Sequence, residues 1–359
     1  VNRRGFIAGA GALAITPRLA RAAGNQAWHL PDEGEAHQRT FMQWPVSRQV
    51  HPDAVFLEML QRTIADIANS IVAYEPLVML VGPAHIASAR RRLSSEIEIW
   101  DIPTEDLWAR DSGPVFVTDD NGRQAVMNLN FNGWGGKQVH RHDGQIAERV
   151  AEWLELPLID SGVTGELGGL DWDGHGTLIA HESSWVNTNR NNEPRALIEN
   201  RLLHALGARK MIWAPGVAGK DITDYHIDSL ARFVAPGEVL IQVPDRVTPE
   251  SPWAAAALET RNILEKATAA NGEKLKLIEI PDPWDTRITT PNFVASYANY
   301  YICNGAVIAA QFGDAEADEI AADALKTAFP DREIVTLNVD PLGEVGGGIH
   351  CATQQQPAV

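Results

Sequence analysis

The sequence predicts one closed α/β domain assembled from a repeated supersecondary unit. Three observations carry this: a helix–strand–motif–hairpin order that recurs along the chain, a near-constant spacing of the polar motifs, and no Pro/Ser/Gly-rich linker to mark a domain boundary. Asp111, Glu166, His226, Arg287 and Cys351 anchor the motifs and lie 55, 60, 61 and 64 residues apart. A fixed period of this kind marks an array of like units that either extends or closes. Every motif follows a strand, so all lie at the same end of their units, and closure into a ring gathers those ends into one concave site. Two successive α/β domains are the alternative architecture.

Taken in order, Asp53–Tyr74 reads as a long helix, Leu77–Val81 as a strand, and Asp111-Ser112-Gly113 as the first motif. Residues 143–155 read as a helix with Ile146, Val150 and Leu154 on one face, followed by the strand Leu158-Ile159 and a motif beginning at Glu166. The cycle recurs as helix Pro194–Leu206, strand Met211–Trp213, motif Asp224–Asp228, and a hairpin over Ala231–Val243 turning at Pro236-Gly237. It recurs again as helix Pro252–Ala270, strand Leu275–Ile280, a motif near Trp284–Asn292, and a hairpin over Val294–Gln311 turning at Asn304-Gly305. The last pass is helix Ala317–Phe329, strand Ile334–Val339 and the motif Gly346–Gln356.

Composition narrows the function classes. With 359 residues, 45% hydrophobic and 21% charged, the chain has ample core for a globular fold. A formal net charge of -17 argues against nucleic acid or an anionic membrane as partner, because phosphates need Lys and Arg to displace their counterions. It is compatible with a small cationic substrate. At the N-terminus, Arg3-Arg4, an apolar stretch from Gly5 to Ile15, and Ala20-Arg21-Ala22 follow the order of a twin-arginine export signal. Residues 1–22 are therefore expected to be removed, leaving a periplasmic protein. No other stretch reaches the roughly 18 apolar residues of a membrane span.

The chemistry resides in a few constellations. Cys351 stands behind Gly346-Gly347-Gly348, where the backbone allows close approach of a substrate, and is a candidate nucleophile. A lone Cys is more often a buried small hydrophobe. Cys303 is the only other cysteine, so a disulfide between the two is the one bridge available. His226 and Asp228, placed two apart, would face the same way on a strand, His226 as acid/base; the plain alternative is a structural hydrogen-bonded pair. Asp111 and Glu166 precede glycine turns and have plain readings as turn formers, as does Asp173 before Gly174. Three carboxylates gathered around one Cys and one His would be unusual in a core, but they suit a cation. A planar guanidinium offers forked donors that carboxylates grip bidentately, which also polarises its central carbon. Trp44, Trp108, Trp134 and Trp172 lie near these motifs and are candidates to pave a cation pocket, with Trp108 in the candidate substrate-binding set. His175, His181 and His204 match no standard metal spacing, so no metal site is expected.

Together, W-A-R-D-S-G-P, G-G-L-D-W-D-G-H-G-T, N-T-N-R-N, T-D-Y-H-I-D, S-Y-A-N-Y and G-G-G-I-H-C-A-T-Q-Q-Q-P resemble the agmatine deiminase family, which includes the Porphyromonas-type peptidyl-arginine deiminases. The resemblance runs from about Trp28 to the C-terminus, giving a deiminase domain over 28–359. It implies a pentein α/β-propeller, five ββαβ units around a pseudo-fivefold axis. It further implies hydrolysis of agmatine to N-carbamoylputrescine and ammonia, without metal or cofactor. Carried over by motif position, Asp111 and Asp228 grip the guanidinium, Glu166 is a third site carboxylate, His226 is the acid/base and Cys351 the nucleophile. Two positions depart from the family pattern: Leu167 follows Glu166, and Tyr225 precedes His226, where glycine is usual at both. Tyr225 is expected to narrow the pocket or alter how the substrate tail is held. Rival readings are a peptidyl-arginine deiminase, an amidinotransferase, and a non-catalytic periplasmic binder of polyamines or guanidines. A homo-oligomer is compatible with all of them.

Overall fold

The computed structural model describes residues 27–244 and 251–359; the expected export signal lies outside the described residues. The strands form five small sheets. The first holds β1 (His37–Gln43), β2 (Leu77–Leu80) and β3 (Glu98–Trp100). The next two hold β4 (Val115–Thr118), β5 (Gln124–Asn128) and β6 (Leu158–Asp160), then β7 (Leu170–Trp172), β8 (Thr177–His181) and β9 (Lys210–Ala214). The last two hold β10 (Ala231–Ala235), β11 (Glu238–Val243) and β12 (Lys276–Pro281), then β13 (Tyr301–Cys303), β14 (Ala306–Gln311) and β15 (Glu333–Asn338). β16 (Gln354–Pro357), the final strand, pairs antiparallel with β1.

In each sheet the central strand has an antiparallel partner on one side and a parallel partner on the other. Antiparallel neighbours can be joined by a tight turn, whereas a parallel partner needs a long crossover. Helices Ala54–Ile71, Ile146–Trp153, Arg195–Ala205, Pro252–Lys266 and Ala315–Ala328 supply the crossovers. The result is five ββαβ units, the first assembled from both ends of the chain, in the propeller-like arrangement that the family resemblance implies.

Local chemistry explains the helix starts. Asp53 caps Ala54–Ile71 by accepting from Val55 N at 2.7 Å and Phe56 N at 3.2 Å. Ser251 caps Pro252–Lys266, with Pro252 in the first turn where its missing N–H is harmless. Along Ala54–Ile71, Leu57, Leu60, Ile64, Ile67, Ala68 and Ile71 recur at helical spacing and face the core. Each fully buried Leu or Ile contributes about 1.5–3 kcal/mol.

Two expected elements are shorter than the sequence suggests. The helix from Pro252 stops at Lys266, because the chain turns at Asn271-Gly272 and closes the bridge Thr268–Lys274. The hairpin expected over Val294–Gln311 begins only at Tyr301. Upstream, backbone groups bond to other elements instead: Tyr297 N donates to Gln242 Oε1 at 2.7 Å, and Asn299 O accepts from His350 N at 3.1 Å.

The first strands of neighbouring units meet inside the ring, β16 beside β4 and β7 beside β10. Where they converge the interior is charged. Glu33 accepts from Arg110 Nη1 at 2.9 Å and from Arg232 Nη2, and His350 Nε2 lies 2.9 Å from its Oε1. Arg232 also donates to Asp171 Oδ2 at 3.1 Å and sits over the Tyr300 ring, 4.4 Å from its centre. Burial alone would raise the Glu33 carboxyl, but Arg110, Arg232 and His350 hold it well below its usual range. Removing one partner from such a network leaves uncompensated buried charge. Glu33→Ala is expected to lower the unfolding free energy by about 3–5 kcal/mol, measured by urea denaturation; an unchanged midpoint would refute this role.

Candidate active site

Four of the five motif segments, each following the last strand of a sheet's crossover side, deliver side chains to one point. Asp111 lies on the short helix Ala109–Ser112, after β3. Glu166 precedes the 3-10 turn Leu167–Gly169, after β6. His226 precedes the 3-10 turn Ile227–Ser229, which carries Asp228, after β9. Cys351 lies in the turn before β16. His226 and Asp228 were expected on a strand; a 3-10 turn holds them instead, and it still aims both side chains inward. None of these five residues is more than 8% exposed.

Gly168 shows how tightly they converge. A methyl group on its Cα would lie 2.7 Å from Asp111 Oδ1, 2.8 Å from His226 Nδ1 and 3.2 Å from Asp228 Oδ2. Only a residue without a side chain permits that approach. A side chain at Gly347 would likewise meet the Trp108 ring at 2.5 Å and Cys351 Sγ at 3.4 Å. The glycine at each position therefore lets the site's side chains pack this closely.

The hydrogen bonds around the point are specific. Cys351 Sγ is 3.4 Å from Asp228 Oδ2, which also lies 2.9 Å from His350 Nδ1. Asp228 Oδ1 is buried and accepts no hydrogen bond from any described residue. Asp111 Oδ2 accepts from Trp134 Nε1 at 2.8 Å, and its Oδ1 is 3.6 Å from His226 Nδ1. Glu166 Oε2 is 3.2 Å from His226 Nε2, so the departure at Leu167 leaves the carboxylate against the imidazole.

The field is anionic, and the titratable groups respond to it. Burial opposes the cationic form of His226, but Asp111, Glu166 and Asp228 push it up to about 9. Burial pushes Asp111 up to about 6; His226 opposes this, and Glu166 and Asp228 add to it. Burial would also raise Asp228, yet the hydrogen bond and charge of His350, with His226 and Arg232, hold it below the ordinary range. The Cys351 thiol is raised well above its usual value by burial and then by the charges of Asp228 and Asp111.

Several expectations need correction. Arg287, the anchor of the fourth motif, pairs with Asp340 at 2.7 Å, away from this cluster. The fourth unit contributes Asn299 instead, whose Nδ2 donates to Cys351 Sγ at 3.2 Å and whose Oδ1 accepts from Cys351 N at 3.2 Å. The Tyr225 ring stacks on His181 at 4.5 Å and meets Trp253 edge-on at 4.9 Å, so its effect on the site runs through the backbone. Trp172 donates to Pro31 O at 2.7 Å, and Asp173 serves the β7–β8 turn by accepting from His175 N and Thr177 N. Both cysteines are free thiols. Asn299 and Arg190 were visible only as letters within S-Y-A-N-Y and N-T-N-R-N, with nothing local to assign them a role.

These shifts set the pH dependence of stability. His226 keeps its proton to about 9 in the folded protein against 6.5 ordinarily, so its contribution is complete below 6.5 and is lost as pH rises through 9. Asp143 and Asp171, both pushed up to about 8 by burial, retain protons that the unfolded chain has released and act in the same direction. Unfolding free energy is expected to fall across this window, by about 1.4 kcal/mol per pH unit for each retained proton. Urea unfolding at fixed ionic strength tests this, with His226→Gln removing its share of the slope; a flat profile would contradict the assignment.

A family model for Porphyromonas-type peptidyl-arginine deiminases matches residues 29–357. A Streptomyces coelicolor protein that carries an agmatine deiminase name is 33% identical over 338 residues, covering 92% of this chain and 99% of that one. One from Selenomonas ruminantium with the same name is 35% identical over 363 residues, covering 92% and 96%. The structure of the Enterococcus faecalis agmatine deiminase superposes with a TM-score of 0.84 at 28% identity, covering 94% of this chain and 99% of that one. The protein belongs to the Porphyromonas-type peptidyl-arginine deiminase family, within the group that contains the agmatine deiminases.

Proposed function

We propose that the protein hydrolyses agmatine to N-carbamoylputrescine and ammonia, using Cys351 as nucleophile. The observation that carries this is the buried cluster around Gly168, where Asp111, His226 and Asp228 converge beside a thiol. A guanidinium is flat, cationic and edged with N–H donors, and Asp228 Oδ1 is a buried acceptor awaiting one. Asp111 and Asp228 would hold it from two sides and draw positive charge onto its carbon.

The electrostatics couple binding to activation. Burial raises the Cys351 thiol and the carboxylates add to it; a guanidinium between the carboxylates offsets their share, which favours the thiolate when substrate is bound. Asp228 Oδ2, at 3.4 Å, is the nearest acceptor for the thiol proton. Sulfur attacks the guanidinium carbon, and His226, protonated at neutral pH, donates a proton to the departing nitrogen. The C–N bond breaks, ammonia leaves, and a thiouronium remains on Cys351. His226, now neutral, takes a proton from water as its oxygen attacks the same carbon. Collapse breaks the C–S bond and releases the ureido product; the added oxygen loses its remaining proton to solvent, where ammonia takes it up, and Asp228 returns its proton to sulfur, restoring the thiol. Covalent catalysis thus divides one difficult displacement into two easier steps.

Arginine in a peptide is the second reading, because the family description names that substrate and exported enzymes meet proteins. The test is ammonia release from agmatine, free arginine and an arginyl peptide, with Cys351→Ala as control. Agmatine is expected to be preferred, and Cys351→Ala to lose at least a thousandfold in kcat, roughly the scale seen when a nucleophile is removed. Peptide preference would move the function to protein citrullination; turnover by Cys351→Ala would remove the nucleophile assignment.

The Arg3-Arg4 segment further supports action in the periplasm. Cell fractionation should recover the protein there, and Arg3→Lys with Arg4→Lys should retain it in the cytoplasm. A wild-type protein found only in the cytoplasm would end this part of the proposal.

A further inference from the structure

We propose that Arg190 is the positioning residue of His226: it holds Glu166 under the imidazole, clamps the backbone turn that carries His226, and balances the charge of Glu166. The inference rests on the reading of His226 as the acid/base, and it assigns work to a residue outside the set that grips substrate.

The Arg190 guanidinium is fully enclosed and already engaged. Its Nε donates to Glu166 Oε1 at 2.9 Å and Oε2 at 2.8 Å. Its Nη1 donates to Asp224 Oδ2 at 2.8 Å and Asn189 Oδ1 at 3.1 Å, and its Nη2 to Thr223 O at 3.1 Å. Glu166 Oε2 therefore serves two neighbours, Arg190 and His226 Nε2. One rigid fork fixes where that oxygen sits, which a flexible ammonium could not do as well.

The same fork reaches the turn before His226. Asp224 and Tyr225 have φ of 61° and 72°, in the left-handed region that side-chain-bearing residues rarely occupy. Such strain persists only where surrounding contacts over-determine the conformation. Here Asp224 Oδ2 is gripped by Arg190 and by Lys137 at 2.6 Å, Oδ1 accepts from Gly219 N at 2.7 Å, and His181 Nδ1 lies 2.8 Å from Tyr225 O. His226 is the next residue, so this turn sets the origin of the imidazole. Arg190 thus touches both the backbone that launches the ring and the carboxylate that receives it.

Charge completes the argument. His226 is surrounded by Asp111, Glu166 and Asp228, with Cys351 beyond Asp228 and His181 behind the turn. A full uncompensated anion at Glu166, 3.2 Å from Nε2, would bind the imidazole proton more tightly and oppose its transfer to the leaving nitrogen. Arg190 is the cation placed on that oxygen.

The test is the titration of the His226 ring, followed by NMR of histidine-labelled protein and assigned with His226→Gln. Arg190→Gln is expected to raise the titration midpoint by about one pH unit and to lower kcat by about tenfold or more, with a smaller change in KM. Arg190→Lys is expected to return the midpoint close to wild type and to recover part of kcat. A lower kcat with an unmoved midpoint, or an unaltered kcat in Arg190→Gln, would overturn the proposal. If Arg190→Gln does not fold, Asp224→Asn, which loosens the fork from the turn while leaving Glu166 paired, should lower kcat without moving the midpoint. Unchanged kcat there overturns the clamp. The titration requires no turnover, so a wild-type protein silent on agmatine would refute the agmatine reading without altering the titration result.

Discussion

Glu33 is the carboxylate on which the interior depends. It takes Arg110 from after β3, Arg232 from β10 and His350 from before β16, and so links segments more than 300 residues apart. Arg232 extends the network to Asp171 on β7. Apolar packing is non-directional, and five similar units could settle against one another in several ways. Charges buried at their meeting point accept only arrangements in which each finds its partner, because an unpaired one is prohibitive.

That network passes directly into the candidate active site. His350 lies between Glu33 and Asp228, so the side chain beside the thiol is oriented from within the core. Arg110 contributes in a second way, its N–H donating to Cys351 O at 3.0 Å. Cys351 is thus fixed from the inside, while Asn299 holds its sulfur and its amide from the fourth unit. Groups supported in this way need little rearrangement as charge moves during reaction.

The site's chemistry follows from an excess of carboxylate in a water-poor place. Anions raise His226, while burial and then the same anions raise Cys351. In the proposed reaction a bound cation offsets those anions, so selectivity and activation arise from the same charges. Arg190 marks the boundary of this field: Glu166 is shared with a resident guanidinium, while Asp228 keeps one oxygen for an incoming one.

Much of this was legible in the chain. Helical periodicity, the Asn304-Gly305 turn and the motif spacing established five like units, because each depends on neighbours in sequence. Cys351 behind its glycines, His226 and the Asp/Glu positions were likewise legible as candidates, since reactive residue types are few and their motifs compact. The roles of Arg190, Asn299, Glu33 and His350 were not, and Arg287 looked equivalent to the other anchors until its partner proved to be Asp340. Nor could the letters at Asp224-Tyr225 show a left-handed turn, or those at Leu167-Gly168 a close approach of three site side chains that only glycine permits. The sequence by itself determined the units and the chemical inventory, which depend on local pattern. Only the tertiary structure decided which charges meet, because pairing between residues hundreds of positions apart is set by how the ring closes.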